Sequence, residues 1–238
     1  MARTRKAASP PSAVTDASPA CWEERSARRV VETGRNQILE RSRRIVDAAY
    51  RLLEEEGLEG LTIRAVLVRT GLSRRAFYER FEGKDDLMLA VFEHTILLAT
   101  RQLGEVLRAL GDPLARLEQI ITLITLGKSS AWGPDRPGGD LLGAAMSREH
   151  LRLAESRPRD LQAALAPLIA LIAGQLSDGM ASGVVRQDDP QRLAVLIYNL
   201  VSTTVHTEWI ARDAAADPAD RARLAADMWA FCRCAVIV

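Results

Sequence analysis

Two helix starts and a turn are written into residues 62–81, and they constrain this chain more than anything else in it. Thr62 caps a helix expected to run to Arg69, because a hydroxyl placed just before a first turn accepts an amide N–H that the helix leaves without a partner. Gly71 then supplies a turn, and Ser73 caps a second short helix reaching about Phe81. Two short helices around a glycine-containing turn of about three or four residues make a helix-turn-helix.

The same stretch carries charge that the whole chain hides. Lys plus Arg is 32 and Asp plus Glu is 31, a net charge of +1, which gives no global pull toward nucleic acid or a membrane surface. Between residues 62 and 84, however, Arg64, Arg69, Arg74, Arg75, Arg80 and Lys84 stand against Glu79 and Glu82, a local charge of +4. Phe77 and Phe81 lie four apart with Leu72 ahead of them, so they pin the second helix onto the first and turn Arg74, Arg75 and Tyr78 outward. A guanidinium pair and a phenol on a short exposed helix suit the major groove. Arginine reads guanine O6 and N7, the tyrosine hydroxyl donates to phosphate, and the Ala76 methyl can meet a thymine methyl.

Helical spacing extends through the rest of the chain. Ile45, Val46, Ala49, Leu52 and Leu53 mark a helix over 42–56 that Gly57 stops. Further helices are expected over 84–110, from Pro113 to about 127, and over 141–153, 158–182, 190–211 and 218–238, with a Gly/Pro loop at 131–139. No segment alternates with period two for long enough to make a strand, so the fold class is all-α. The uncharged runs 161–177 and 193–207 are shorter than a bilayer requires and read as buried helices. Residues 1–40 are poor in apolar side chains and read as a mobile basic arm, with helical capacity at 21–31. Pro10, Pro11, Asp16 and Pro19 interrupt the block where an export signal would be apolar. Cys21, Cys232 and Cys234 are too few and too ill-spaced for a disulfide framework, which fits a cytoplasmic location.

Residues 43–87 resemble the DNA-binding domain of the TetR family of one-component bacterial transcriptional regulators. The resemblance rests on Thr62-Ile63-Arg64, on Gly71-Leu72-Ser73, on Phe77-Tyr78 followed by Phe81, and on Lys84-Asp85 ahead of Leu87. It implies that Thr62 and Lys84 hold phosphates, that Arg64, Arg74 and Arg75 approach bases or phosphates, and that Tyr78 meets a phosphate; Ser73 and Ala76 complete the reading segment. Leu67 stands where the family has a small alanine, which predicts a wider crossing of the two helices. Arg75, Arg80 and Gly83 replace a frequent small residue, histidine and serine; these departures bear on which operator is read.

The organisation expected is an arm at 1–40, a helix-turn-helix DNA-binding domain at 41–88, and a larger helical ligand-binding and dimerisation domain at 89–238. From Val91 onward 15 basic side chains meet 17 acidic ones, a net of −2, so this half is not expected to bind DNA. The resemblance implies a homodimer through the last two long helices. Two apolar stripes on 193–209 agree, since a helix apolar on two faces is packed on two sides. Leu193, Ile197, Leu200 and Thr204, with Leu224, Met228 and Phe231, are the expected interface. Residues that interrupt apolar faces are the candidate effector contacts: Thr122, Thr125, Trp132, Met146, Asn199, Thr203 and His206. Few charges there point to a lipophilic small molecule.

His94 and His150 show no metal-type pairing, and no metal or cofactor is expected. Without Gly-x-Ser-x-Gly, His-Glu-x-x-His or a phosphate-binding glycine loop, an enzyme is not expected either. The leading function is a ligand-released repressor on a palindromic double-stranded operator, and the alternative is a non-sensing architectural or protein-interaction module.

Overall fold

The structure is a computed structural model and describes residues 22–131, 139–211 and 217–238. Those residues form α1 (Trp22–Gly60), α2 (Ile63–Thr70), α3 (Arg74–Tyr78), α4 (Lys84–Leu107), α5 (Pro113–Ala131), α6 (Gly139–Ser156), α7 (Pro158–Ala181), α8 (Pro190–Ala211) and α9 (Pro218–Val236). Among them there is no strand, only an isolated antiparallel bridge between Val185 and Ile237. The all-α expectation holds.

The chain divides into two units, Met1–Arg41 and Ser42–Val238. In the first, the helix expected over 21–31 does not stop at Val31. It is helical from Trp22 to the end of the unit, with Trp22, Val30, Val31, Ile38 and Leu39 all exposed. No proline interrupts this stretch, and a helix once nucleated propagates at little cost per residue. Residues 1–21, including Cys21, lie outside the described residues.

The second unit holds two apolar cores. One gathers Ile45, Ala49, Leu52 and Leu53 of α1, Val66 of α2, Phe77 and Phe81 around α3, Leu87, Met88 and Val91 of α4, and also Leu142 and Ala145 of α6. Gly57, at φ 69°, breaks the helical path of α1 where the sequence places the stop. A Cβ there would sit 3.5 Å from the Leu141 side chain, so the turn is also where α6 comes close.

The other core is built on α7, whose Leu161, Leu165, Leu168, Ile169, Ile172 and Leu176 are buried. By length and composition α7 could cross a membrane, but it packs against α4, α5, α6 and α8 as a core helix does.

Several helix ends shift from their expected places. α4 stops at Leu107 rather than 110, because Ala109 and Leu110 donate to Val106 and Leu107 in tighter turns. Asp112 Oδ2 accepts from Ala115 N at 2.9 Å and starts α5, which continues past 127 to Ala131. Of the loop expected at 131–139, Ala131 ends α5 and Gly139 starts α6, and residues 132–138 are outside the described set.

Candidate nucleic-acid interface and ligand cavity

The helix-turn-helix is held by local chemistry. Thr62 Oγ1 accepts from Ala65 N at 3.1 Å and Ser73 Oγ from Ala76 N at 3.2 Å, the two caps that the sequence marks. Gly71 adopts φ 66° and donates to the Leu67 carbonyl at 2.9 Å, a left-handed close that a side chain would strain. Arg44 of α1 donates to the Thr70 carbonyl at 2.9 Å and ties down the end of α2. Leu67 is partly buried against the same core.

Thr62, Arg64, Ser73, Arg74, Arg75, Tyr78 and Lys84 are all exposed, and Ala76 is half-buried. Arg74 lies over the Tyr78 ring, 5.7 Å from guanidinium carbon to centroid, which holds both side chains in one outward orientation. Arg75 is 90% exposed and pairs with Glu79 at 3.1 Å, an exposed contact weak enough to exchange for a phosphate or base. Gly83 gives α4 no side-chain cap; Asp86 Oδ2 instead accepts from Glu82 N at 3.2 Å.

Arg80 behaves differently from the other arginines. Its side chain is 6% exposed, and it donates to the Ala76 carbonyl and reaches Glu79 Oε2 at 3.3 Å. Its charge belongs to the local +4, yet its guanidinium fastens the end of α3 rather than facing outward. Arg69 is likewise engaged, in an ion pair with Glu55.

A cavity of about 210 Å³ lies between α1, α4, α5, α6, α7 and α8. Phe92, Ile96, Leu103, Ile124, Met146, Leu168 and Val205 contribute apolar wall, and no Asp, Glu, Lys or Arg is among the described lining residues. On one side the wall is polar. His206 Nδ1 and Ser147 Oγ are 2.8 Å apart, the His150 and His206 rings have centroids 4.5 Å apart, and Tyr198 Oη is 3.3 Å from His150 Nδ1. His206 Nε2 is buried and has no hydrogen-bond partner among the described residues.

Burial holds His150 below the usual histidine range. Burial first, and then the neighbouring His150, push His206 down to about 4. Burial also raises the Tyr198 phenol. Both imidazoles are therefore neutral at pH 7.

This has a measurable consequence. Between about pH 6.5 and 4 the unfolded chain binds a proton at residue 206 that the folded chain does not. The stabilisation is complete above the unfolded value and is lost as pH falls toward the folded one. After allowance for solvent reaching part of the ring, the loss is about 2 kcal/mol. Urea midpoints at pH 7 and pH 4.5 should separate more for the native chain than for His206→Gln; equal separations would refute the assignment.

Of the expected effector contacts, Met146 and His206 line this cavity. Thr122, Thr125, Asn199 and Thr203 are not among its lining residues: Thr125 is buried and bonds the Ile121 carbonyl, while Asn199 and Thr203 are exposed. Trp132 lies outside the described residues. Sequence reasoning passed over Phe92, Ser147, Tyr198 and Ser202, and weighed His150 only as a metal ligand. A signal was present, since Gly143, Met146, Ser147 and His150 on α6 and Tyr198, Ser202, Val205 and His206 on α8 each follow helical spacing.

The expected dimer residues divide. Leu193, Ile197 and Met228 are buried in the chain's own core, so they are already engaged within the chain. Leu224 and Thr204 are partly buried. Leu200 and Phe231 are exposed, and Leu196 of α8, which was not expected, is 58% exposed. Two faces of α8 are apolar, and the one packed within the chain carries Leu193, Ala194, Ile197, Tyr198, Val201 and Val205.

Residues 45–91 match the family model of bacterial regulatory proteins, tetR family. An HTH-type transcriptional repressor of Mycobacterium tuberculosis is 26% identical over 178 residues, spanning 69% of this chain and 92% of the relative. The HTH-type transcriptional regulator BetI of Brucella canis is 29% identical over 83 residues, 35% of this chain and 42% of its own length. Among solved structures, the transcriptional regulator FadR from Bacillus subtilis in complex with stearoyl-CoA superposes with a TM-score of 0.60 at 19% identity, over 79% of this chain and 96% of that one. RolR in complex with resorcinol does so with a TM-score of 0.60 at 18% identity, over 83% and 93%. At such identities the shared property is the fold.

Proposed function

We propose, on the premise that the chain belongs to the tetR family of bacterial regulatory proteins through its DNA-binding domain, that it is a ligand-responsive repressor. In this reading a homodimer holds a palindromic operator, α3 of each copy lies in the major groove, and a small lipophilic effector releases it. Thr62 and Lys84 hold phosphates, while Arg64, Arg74 and Arg75 approach bases or phosphates.

One observation carries the reading: α4 and α6 each belong to both the reading head and the cavity wall. Leu87, Met88 and Val91 of α4 and Leu142 and Ala145 of α6 lie in the core behind α3. Phe92 and Ile96 of α4 and Leu142, Met146 and His150 of α6 line the cavity. A ligand that requires either helix to shift therefore acts on the support of α3, provided it binds the two arrangements with different affinity. The ligands in the FadR and RolR structures support a small-molecule effector, and the apolar, charge-free lining supports a lipophilic one. Exposed Leu196, Leu200 and Phe231 support pairing of copies.

Binding-site selection from random duplex DNA at near-physiological salt tests the reading. The native chain should enrich a palindrome, and Arg75→Ala should relax it at symmetric positions at a cost of about 1–3 kcal/mol. Lys84→Ala should instead lower affinity for all sequences alike and flatten the salt dependence. Binding without enrichment would favour the architectural alternative.

A further inference from the structure

We infer that the cavity is a receptor for an uncharged molecule the size of one substituted ring, carrying a hydroxyl that seats on His206 Nε2. The inference rests on the reading above, in which the cavity is the effector site, and specifies the chemistry of what fills it.

Size sets the first limit. An apolar cavity of about 150 Å³ takes benzene. At about 210 Å³, this one has room for a ring with one or two small substituents, and its walls offer Phe92, Ile96 and Leu168 to the hydrocarbon body.

Charge sets the second. A charged ligand would give up its hydration in a cavity whose described lining contains no opposite charge, and such transfers are unfavourable unless paired. The two imidazoles are neutral at pH 7 and supply no counter-ion.

The polar wall sets the third. Among the described groups around the cavity, His206 Nε2 is the buried nitrogen with no partner; protein atoms cover it, so in this inference the ring turns slightly about its Ser147 contact to meet the ligand oxygen. The protonation of Nε2 depends on Ser147. If Nδ1–H donates to the serine oxygen, Nε2 is a bare acceptor; if the serine hydroxyl donates to Nδ1, Nε2 carries the hydrogen. A hydroxyl both donates and accepts, so it satisfies either tautomer. A carbonyl or an ether satisfies only one of them. A ligand hydroxyl supplies the bond that Nε2 lacks, so the apolar body adds its burial without a polar loss.

The test titrates the full chain by calorimetry with p-cresol, with p-xylene, which has a methyl in place of the hydroxyl, and with 4-methylbenzoate. The native chain should bind p-cresol at least about tenfold more tightly than p-xylene, and 4-methylbenzoate more weakly than either. His206→Leu should abolish the preference while retaining p-xylene. In the native chain the His206 Nε2 nitrogen resonance should move on adding p-cresol and stay in place with p-xylene, a readout that does not depend on the variant folding. Equal affinity for cresol and xylene, tighter binding of the benzoate, or no binding of p-cresol would each overturn the inference. Operator release is scored separately. Cresol bound through His206 without release from DNA would remove the effector reading and leave the site. Release by another molecule with cresol unbound would do the reverse.

Discussion

Phe77→Ala is expected to lower the unfolding free energy by about 3–5 kcal/mol and to abolish DNA binding under conditions where most of the chain is still folded. Phe77 is fully buried, with ring centroids 5.6 Å from Phe81 and 5.3 Å from Tyr78. Its loss opens a void behind α3. That helix has five residues, too few to persist without the surface it rests on. Removing its anchor should therefore disorder Arg74, Arg75 and Tyr78 before it unfolds α7 and α8. Urea unfolding gives the energy and a DNA titration the function; a loss below about 1 kcal/mol would show that the site relaxes around the void. Phe77→Leu, which retains most of the volume, should keep most of both.

The other large effect is expected at Arg152. Glu149 on α6 is only 5% exposed, and its two oxygens receive Arg152 Nε at 2.8 Å and the Arg152 terminal nitrogen at 2.6 Å. That hydrogen bonding raises the guanidinium's pKa above its ordinary value. Arg152→Met would leave a buried carboxylate without its partner, an arrangement that costs about 3–5 kcal/mol. Because Arg152 itself is about a third exposed, water can enter the gap, and the lower end of that range applies. The double variant Glu149→Leu with Arg152→Met should recover most of the loss, since the unpaired charge goes with it. Denaturation midpoints of the single and double variants decide this; a double variant as unstable as the single would show that packing, not charge, is lost. Arg152 also lies 3.8 Å from Asp85 in the first turn of α4, beside Lys84, so operator affinity should fall in the single variant by more than its folded fraction explains.

The helix-turn-helix was readable because its signals are local. Thr62, Gly71 and Ser73 act within a few residues of themselves, and the structure has each of them in the expected role. What the sequence left open concerns choices between equivalent faces. α8 is apolar on two faces, so Leu193 and Ile197 were as good an outward stripe as Leu196 and Leu200 until α7 was packed against one side. Arg80 shows the same difficulty for charge. Its spacing from Ala76 is right for a bond to that carbonyl, but nothing local distinguishes it from Arg75, which faces outward. The cavity is the least legible part, because Ser147, His150, Tyr198 and His206 come together only when α6 and α8 cross. Thr125, chosen for interrupting an apolar face, satisfies its hydroxyl on the Ile121 carbonyl of its own helix. The long helical run ahead of residue 42 was missed for another reason: charged residues with few apolar partners look like coil on composition, although nothing in them breaks a helix.

The double membership of α6 divides the cavity wall into two kinds of position. Leu142 lines the cavity and is also part of the core behind α3, so a substitution there that reshapes the cavity alters the footing of α3 as well. Leu168 and Val205 line the same space but belong to the other core alone. If the proposed function holds, new ligand preferences can be acquired at the second kind without disturbing DNA recognition. Lineages that change ligand should then vary first on α7 and α8, while the α6 positions at the junction change only together with their neighbours in the helix-turn-helix.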